Sequence, residues 1–291
     1  MKQIQEIFAM IEVLSVENMR LSDAYTIEHY IGSKTLMYNA GKAVFDSVNW
    51  HGSAAIIAGS GNNAGDGYVI ARLLNSVGVN VQIYLLKDKF SDDGRYYFDE
   101  CVSDGIAYSI YGGESLSGYD YIIDCIFGTG FHGVPHGVAK TAIEQINASG
   151  AYIVSVDINS GINGDSGRGE IYVRSDLTVS IGSYKTGHFI GYAADCIGRL
   201  KNCDIGIKPI MPTYKYVCAK ADIDDTLHTL GIDEYTLVPF GSDELENYDI
   251  SPAQSVISLA NKKKFAVAVK DGGAYIIADG DNAYIIGERE V

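Results

Sequence analysis

The sequence predicts an α/β fold of the Rossmann-like kind: three αβα layers around a doubly wound, mostly parallel sheet, with a small C-terminal α/β appendage. Short continuous apolar runs alternate with segments of helical spacing, and polar or glycine-rich segments follow several of these runs. Strands separated by helices are typical of parallel βαβ units. Strands buried on both faces are apolar throughout, as these runs are. Ligands of such sheets bind beyond the carboxyl ends of the strands, so we expect the functional site there.

The first predicted elements are two helices, over residues 16–30 and from Lys34 to Val48, where apolar residues recur at helical spacing. An alternation of strands and helices follows up to about residue 210. The predicted strands are 53–58, 80–86, 119–125, 151–156 and 176–181, and helices are predicted directly after residue 67 and over 138–149.

The last part of the chain differs in character from the rest. Pro209, Pro212 and Thr213 indicate a linker, which divides the chain into a domain over residues 1–210 and a short segment over residues 214–291. Strands are predicted in that segment at 265–269 and 274–278, with a turn at Asp271-Gly272-Gly273 between them.

Composition argues against several classes of protein. A formal net charge of −15 makes nucleic acid and anionic membranes poor partners. The five cysteines include no CxxC pair, which argues against a zinc site or a disulfide framework and suits a reducing compartment. The N-terminus does not resemble a signal peptide, and there is no apolar run of about 18 residues that would span a membrane. We therefore expect a cytoplasmic protein.

The segment between the first predicted strand and its helix is the sharpest chemical signal, Gly59-Ser60-Gly61-Asn62-Asn63-Ala64-Gly65-Asp66-Gly67. Glycines let the backbone approach a ligand closely. The following helix presents free N–H groups and a positive N-terminus, which favour phosphate. The alternative is a tight turn that binds nothing, but the density of glycine and asparagine favours a nucleotide site.

This turn also permits other interpretations. Gly59, Gly61 and Ala64 match the dinucleotide fingerprint, and Asp88 lies near its acidic position, which would indicate an NAD(P)-dependent oxidoreductase. Such an enzyme needs a catalytic pair near the nicotinamide, whereas Tyr184 and Lys185 are adjacent in sequence. No Gly-Lys-Ser/Thr follows, which excludes a P-loop. The Ala-Gly-Asp-Gly stretch is similar to a loop of ribokinase-like kinases, but there it lies near the end of the domain.

Three further polar segments follow later strands: Asp124 to Gly133, Val156 to Gly161, and Ser183 to His188. Asp124, at a strand end, could hold a cation or merely cap its loop. Asp157 could act as a general acid or base, or simply hydrogen-bond the next turn. Lys185 could face the crevice or be a solvated surface charge.

The order of these segments resembles the YjeF N-terminal domain family, the NAD(P)H-hydrate epimerases. GSGNNAGDGYVIARLL is similar to the family's GxGNNGGDGxxxAR stretch, DCIFGTG to DxxFGTG, and VDINSG to VDxPSG. The likeness covers about residues 12–208. Ala64, Asn159 and Tyr38 depart from the family pattern, and none of them removes an expected ligand.

The resemblance implies a reaction and roles for named residues. The expected activity interconverts the R and S forms of hydrated NAD(P)H, NADHX and NADPHX. Asp157 would lie at the hydrated nicotinamide ring with Lys185 near it, and both are candidate catalytic residues. Asn63, Asp124 and Ser160 would bind a potassium ion, and oxygen ligands suit such a hard cation. The residues expected to contact the diphosphate and ribose are Asn62, Asn63, Ala64, Gly65 and Asp66. Those expected to cradle the substrate are Gly128, Thr129, Gly130, Phe131, His132, Gly133 and Val134.

The resemblance also bears on assembly and on the C-terminal segment. Homodimerisation is a family expectation. Residues 214–291 resemble a short piece of the ribokinase-like dehydratase that follows this domain in bifunctional proteins, but no second glycine-aspartate loop follows, so we expect no dehydratase activity. Non-catalytic scaffolds also resemble this domain, and the retained set of Asn63, Asp124, Asp157 and Ser160 favours an enzyme.

Overall fold

The structure, a computed structural model, describes residues 10–219 and 223–289. Residues 1–9, on which part of the signal-peptide argument depends, lie outside the described residues, as do 220–222, 290 and 291 of the C-terminal segment. The helices are α1 Val16–His29, α2 Ser33–Phe45, α3 Asn62–Ser76, α4 Asp92–Ser103, α5 Gly137–Ala148, α6 Ala193–Cys196, α7 Ile223–Thr229 and α8 Pro252–Lys263. A 3₁₀ turn spans Thr186–His188.

The strands fall into two sheets. Their bounds are β1 Met10–Leu14, β2 Ser53–Ala58, β3 Asn80–Leu85, β4 Ala107–Ile110, β5 Tyr121–Cys125, β6 Tyr152–Val156, β7 Ser175–Ile181, β8 Tyr184–Lys185, β9 Ile197–Cys203, β10 Tyr214–Cys218, β11 Thr236–Leu237, β12 Val267–Asp271, β13 Ala274–Asp279 and β14 Asn282–Gly287.

The first sheet confirms the predicted fold class. Its seven strands run in the order β4-β3-β2-β5-β6-β7-β9, and every neighbouring pair is parallel. The order reverses between β2 and β5, which is the switch point where ligands of doubly wound sheets bind. Successive residues of one strand enter different apolar clusters, Ile56 on one face and Ile57 on the other, both fully buried. Burial on both faces explains the continuous apolar runs.

The second sheet draws strands from distant parts of the chain. Its order is β11-β12-β13-β14-β10-β1-β8. β1 runs antiparallel to β10, with Val13 opposite Tyr214, and parallel to β8, with Val13 opposite Tyr184. The proposed division at residue 210 stays a prediction. The structure adds that β1 and β8, which precede residue 210, lie in one sheet with the strands of the C-terminal segment.

The linker before β10 is held along α1. Asn18, Ser22 and Thr26 are almost fully buried and lie at successive turns on one face of that helix. Thr26 Oγ1 accepts from the Lys208 amide at 3.0 Å, and Ser22 Oγ accepts from the Ile210 amide at 3.1 Å. Asn18 Nδ2 donates to the carbonyls of residues 211 and 212, both at 3.1 Å. These bonds satisfy the backbone of an extended segment and hold α1 against it.

Candidate active site

The loops after β2, β5 and β6 meet at the carboxyl edge of the parallel sheet, around a cavity of about 980 Å³. Helix α1 forms part of the opposite wall through Val16, Met19 and Asp23. Among the residues expected to bind substrate or catalyse, those that line this cavity are Asn62, Asn63, Asp66, Gly128, Thr129, Gly130, Phe131, His132 and Asp157.

The N-terminus of α3 opens into this cavity. Its cap residue Gly61 makes no side-chain hydrogen bond to the helix, and the first N–H groups of a helix have no intrahelical acceptor. A Cβ on Gly59 would overlap the Ile126 carbonyl oxygen, so only glycine lets the loops after β2 and β5 approach this closely. The exposed end of α3 is thereby suited to an anionic group.

Other predicted site residues do not line the cavity. Ala64 is buried, and a Cβ on Gly65 would meet the Met37 sulfur at 2.5 Å. Both positions therefore point into the core and away from the cavity. Gly133 and Val134 lie beyond the lining, and the Val134 side chain is exposed. Lys185 lies behind the cavity wall and is fully buried.

Asp124 is the centre of a buried polar cluster beside the cavity. Its Oδ2 accepts from Ser155 Oγ at 2.8 Å and from the Ser160 amide at 2.9 Å, and its Oδ1 accepts from Ser160 Oγ at 2.5 Å. Burial raises the pKa of Asp124, although the hydrogen bonds from Ser160 and Ser155 act in the opposite direction.

Asn63 joins this cluster from the start of α3. Its Nδ2 donates to the Phe127 carbonyl at 3.0 Å, and the Phe127 amide donates to Ser160 Oγ at 2.9 Å. The buried Asn63 Oδ1 has no hydrogen-bond partner among the described residues. A buried polar atom without a partner is costly. Amide, carboxylate, carbonyl and hydroxyl oxygens together are a donor set that fits a hard cation such as potassium.

Asp157 lies where β6 ends and forms an ion pair with Lys185 Nζ. Lys185 Nζ also donates to the Ile181 carbonyl at 2.8 Å. A Cβ on Gly128 would lie 3.5 Å from Asn63 Cβ and 3.6 Å from Asp157 Oδ2, so these two side chains approach the same glycine. Burial acts to raise the pKa of Asp157, but the charge and hydrogen bond of Lys185 outweigh it and hold that pKa below the ordinary value.

His188 supports this ion pair, a role that the sequence did not suggest. The Lys185 amide donates to His188 Nδ1 at 3.1 Å, so Nε2 carries the proton and donates to the Asp157 carbonyl at 2.9 Å. Burial, together with the nearby Lys185 charge, lowers the pKa of His188 to about 3. Its position three residues after Lys185 is the one signal that could have drawn attention to it.

Two cavity-lining carboxyls have pKa values shifted in the opposite direction from that of Asp157. Burial, and then the negative charges of Asp157 and Asp23, raises the pKa of Asp66 well above its ordinary value. Burial, and then the charge of Asp157, also raises the pKa of Asp23. Asp23 belongs to α1 and was not predicted, because nothing in the spacing of α1 connects it with loops that are distant in sequence.

Comparisons with known proteins show which family this chain belongs to. A family profile described as "YjeF-related protein N-terminus" matches residues 33–187. The bifunctional NAD(P)H-hydrate repair enzyme Nnr of Thermofilum pendens is 35% identical over 204 residues, which cover 65% of this chain and 39% of the relative. The NAD(P)H-hydrate epimerase of Limosilactobacillus fermentum is 36% identical over 183 residues, which cover 60% of this chain and 88% of the relative.

The crystal structure of yeast ynu0 matches with a TM-score of 0.58 and 21% identity, covering 69% of this chain and 96% of that one, which supports the fold. The match spans less than half the length of the bifunctional relatives from Thermofilum pendens and Archaeoglobus fulgidus. Because the family profile matches more than half of the residues, this chain belongs to the YjeF-related protein N-terminus family.

Proposed function

We propose that this protein is an NAD(P)H-hydrate epimerase that interconverts the R and S forms of NADHX and NADPHX. The observation that carries the proposal is the Asp157–Lys185 ion pair at a cavity that also receives the uncapped N-terminus of α3. A relative named as such an epimerase aligns over 88% of its own length. One cavity thus combines a suitable site for a diphosphate with a reactive carboxylate.

The substrate diphosphate would lie at the start of α3, where the N–H groups of Asn62 and Asn63 can donate to its oxygens. Ala64 and Gly65 would shape this end of the helix, because the Ala64 amide donates to the Gly61 carbonyl at 3.1 Å and both side-chain positions face the core. The loop from Gly128 to Val134 would cover the substrate. The hydrated nicotinamide ring would lie at Asp157.

Epimerisation at ring carbon six needs a proton donor and a proton acceptor. The hydroxyl there leaves as water, the ring nitrogen stabilises the resulting iminium ion, and water returns from the other face. Asp157, whose pKa is lowered, is a carboxylate at neutral pH and can take the proton from the returning water. Asp66, whose pKa is raised well above its ordinary value, retains a proton more readily and can protonate the leaving hydroxyl.

A potassium ion would be held by Asn63 Oδ1, the Asp124 carboxylate and Ser160, and the Phe127 carbonyl adds a further oxygen. When bound, the ion would supply positive charge beside the phosphate-binding loops. The chain's own residues hold Asn63 and Ser160 in position without it, because both hydrogen-bond to the backbone of Phe127.

Further expectations complete the proposal. The substrate is a small molecule, and the net charge of −15 argues against nucleic acid as a partner. Across the described ranges, the structure contains no helix that could cross a membrane. We propose a cytoplasmic homodimer, because the cysteine content suits a reducing compartment and dimers are expected in the family.

An epimerisation assay on purified R hydrate, with and without potassium, tests this proposal. Asp157→Asn should slow epimerisation at least about tenfold, because the variant lacks the carboxylate that moves the proton. Binding of NADPH hydrate, measured by calorimetry, should be retained.

Asp88→Asn, at an exposed position outside the cavity, is the matched control and should keep wild-type turnover. Wild-type turnover in Asp157→Asn would remove Asp157 from the mechanism, and no turnover by the wild type would refute the function.

A further inference from the structure

The C-terminal segment reaches the Asp157–Lys185 pair through the second sheet. Lys185 lies on β8, the last strand of that sheet, and Leu14 of β1 is its partner residue. β1 is paired on its other side with β10, the first strand of the C-terminal segment. Only one strand, β1, therefore lies between the strand that carries Lys185 and β10 of the C-terminal segment.

A row of aromatic side chains makes a second connection between the C-terminal segment and the residues around Lys185. Tyr216 of β10 is fully buried, and its ring stacks on Phe189 with centroids 3.9 Å apart and an interplanar angle of 20°. Phe189 meets the Tyr184 ring edge-on at 5.5 Å. The Tyr216 hydroxyl donates to the Arg289 carbonyl at 2.8 Å, which holds the ring from the side of the C-terminal segment.

Phe189 directly follows His188, which bonds both members of the ion pair. His188 accepts from the Lys185 amide and donates to the Asp157 carbonyl. Asp157 has a φ of 68°, a left-handed conformation that persists only where surrounding contacts determine it. A shift of Phe189 would therefore move His188 and relax Asp157 away from Lys185.

We propose that the described C-terminal residues, 214–219 and 223–289, act as a positioning module for the Asp157–Lys185 pair, and that Tyr216 is the positioning residue through which they act. The catalytic meaning of this inference rests on the proposed function, whereas its structural content does not. None of the described residues of this module is among those that line the cavity, so the module would hold the site from outside the cavity.

A separate contact ties the loop after β6 to the same module. Asp271 of β12 is 2% exposed and accepts from Arg168 Nη2 at 2.5 Å and from the Tyr248 hydroxyl at 3.0 Å. The Arg168 guanidinium also lies 4.3 Å from the centroid of the Phe240 ring. Arg168 belongs to the loop that begins with Asp157 and Ser160. The module thus supports both β8, which carries Lys185, and the loop after β6, which begins with Asp157.

The test compares the pKa of the Asp157 carboxyl in three variants by carbon-13 NMR of labelled aspartate, assigned with Asp157→Asn. Tyr216→Leu removes the stacked ring and should raise that pKa by about one unit, because Lys185 moves away. Tyr216→Phe keeps the ring and should restore the wild-type value. Ile277→Ala, fully buried on the opposite face of the sheet in a different apolar cluster, is the control and should leave the pKa unchanged.

Epimerisation provides a second readout, with a loss of about tenfold in kcat for Tyr216→Leu and wild-type kcat for Tyr216→Phe.

An unchanged pKa in folded Tyr216→Leu, or an equal shift in Ile277→Ala, would overturn the proposal. If Tyr216→Leu does not fold, Phe189→Leu breaks the same stack from the other side and is judged by the same titration. A wild type without epimerase activity would refute the proposed function alone, since the titration would still decide the positioning role.

Discussion

Asp157 holds a backbone conformation that L-residues other than glycine seldom adopt, with a φ of 68°. Asparagine and aspartate tolerate this region better than most residues, at a cost of about 1–2 kcal/mol. Both of its backbone groups are bonded: its amide donates to the Val179 carbonyl at 2.8 Å, and its carbonyl accepts from His188. These tertiary bonds aim the carboxylate at Lys185 and at the cavity.

The buried His188 makes a pH dependence testable. Its pKa of about 3 in the folded protein lies below the ordinary value of 6.5, so below about pH 6.5 the unfolded chain binds a proton that the native state does not. The free energy of unfolding should therefore fall as the pH decreases from about 6.5 towards 3. His188→Gln should make that fall shallower, as measured by urea unfolding at a series of pH values.

The exposed His29 provides the control for this measurement, because His29→Gln should keep the wild-type slope. An equally steep slope in His188→Gln would show that His188 binds its proton in the native state as readily as in the unfolded chain. Nitrogen-15 NMR of the imidazole adds a direct observation, since Nε2 should carry the proton throughout this range.

Helix α3 presents its N-terminus to the cavity because it can approach the sheet closely. A Cβ on Gly67 would lie 2.8 Å from Cys125 Sγ and 3.0 Å from Ile56 Cγ2, both in the centre of the sheet. The Gly61–Asn63 end of the helix stands beside the end of β5 for this reason. The close packing of α3 against the sheet at Gly67 thus decides the position of the proposed phosphate site.

Gly67→Ala should lower the free energy of unfolding by about 1–3 kcal/mol, because the added methyl has no space between the helix and the sheet. Gly112→Ala, whose Cβ would meet its nearest atom at 3.8 Å, is the matched control and should change stability little. Urea unfolding of both variants gives the comparison. A stability equal to wild type in Gly67→Ala would mean that α3 can move outward without cost.

The whole molecule is joined by a sheet built from three separated parts of the chain. β1, β8 and β10–β14 contribute to it, and Met10 lies opposite Val217. Strand β10 of the C-terminal segment therefore pairs with β1, which in turn pairs with β8, the strand that carries Lys185. This arrangement gives the segment a structural role that does not require a second active site.

We expect no dehydratase activity from residues 214–291, because this segment contains no second Ala-Gly-Asp-Gly stretch like that at residues 64–67. Incubation of the S hydrate with the protein and either ADP or ATP should form no NADH, as followed by the absorbance of the reduced nicotinamide. The bifunctional NAD(P)H-hydrate repair enzyme of Thermofilum pendens is the positive control. Nucleotide-dependent formation of NADH would contradict this expectation.

The sequence was informative where structure is local. Strands β2 and β5 were predicted within two residues because their residues are buried on both faces and therefore apolar throughout. Strands β4 and β9 were not predicted, because they lie at the edges of the sheet and carry exposed side chains, including Arg199 and Lys201. Helix α4 was also missed, since buried Tyr97, Phe98 and Cys101 stand among charged residues.

For the candidate site, the resemblance to the family implied Asn63, Asp124 and Ser160 as a set, and these residues do lie in one cluster. Their roles stay predictions. His188, Asp23 and the contact between Tyr216 and Phe189 were beyond reach, because each depends on contacts between segments distant in sequence.

By itself, the sequence determined the parallel sheet and the loops that carry polar groups, because apolar periodicity and glycine turns act over short stretches of chain. Only the tertiary structure decided that Lys185 pairs with Asp157, that α1 closes the cavity, and that β1 joins the C-terminal strands. Strand pairing and the burial of charge depend on residues far apart in the chain, and no local pattern records which of them meet.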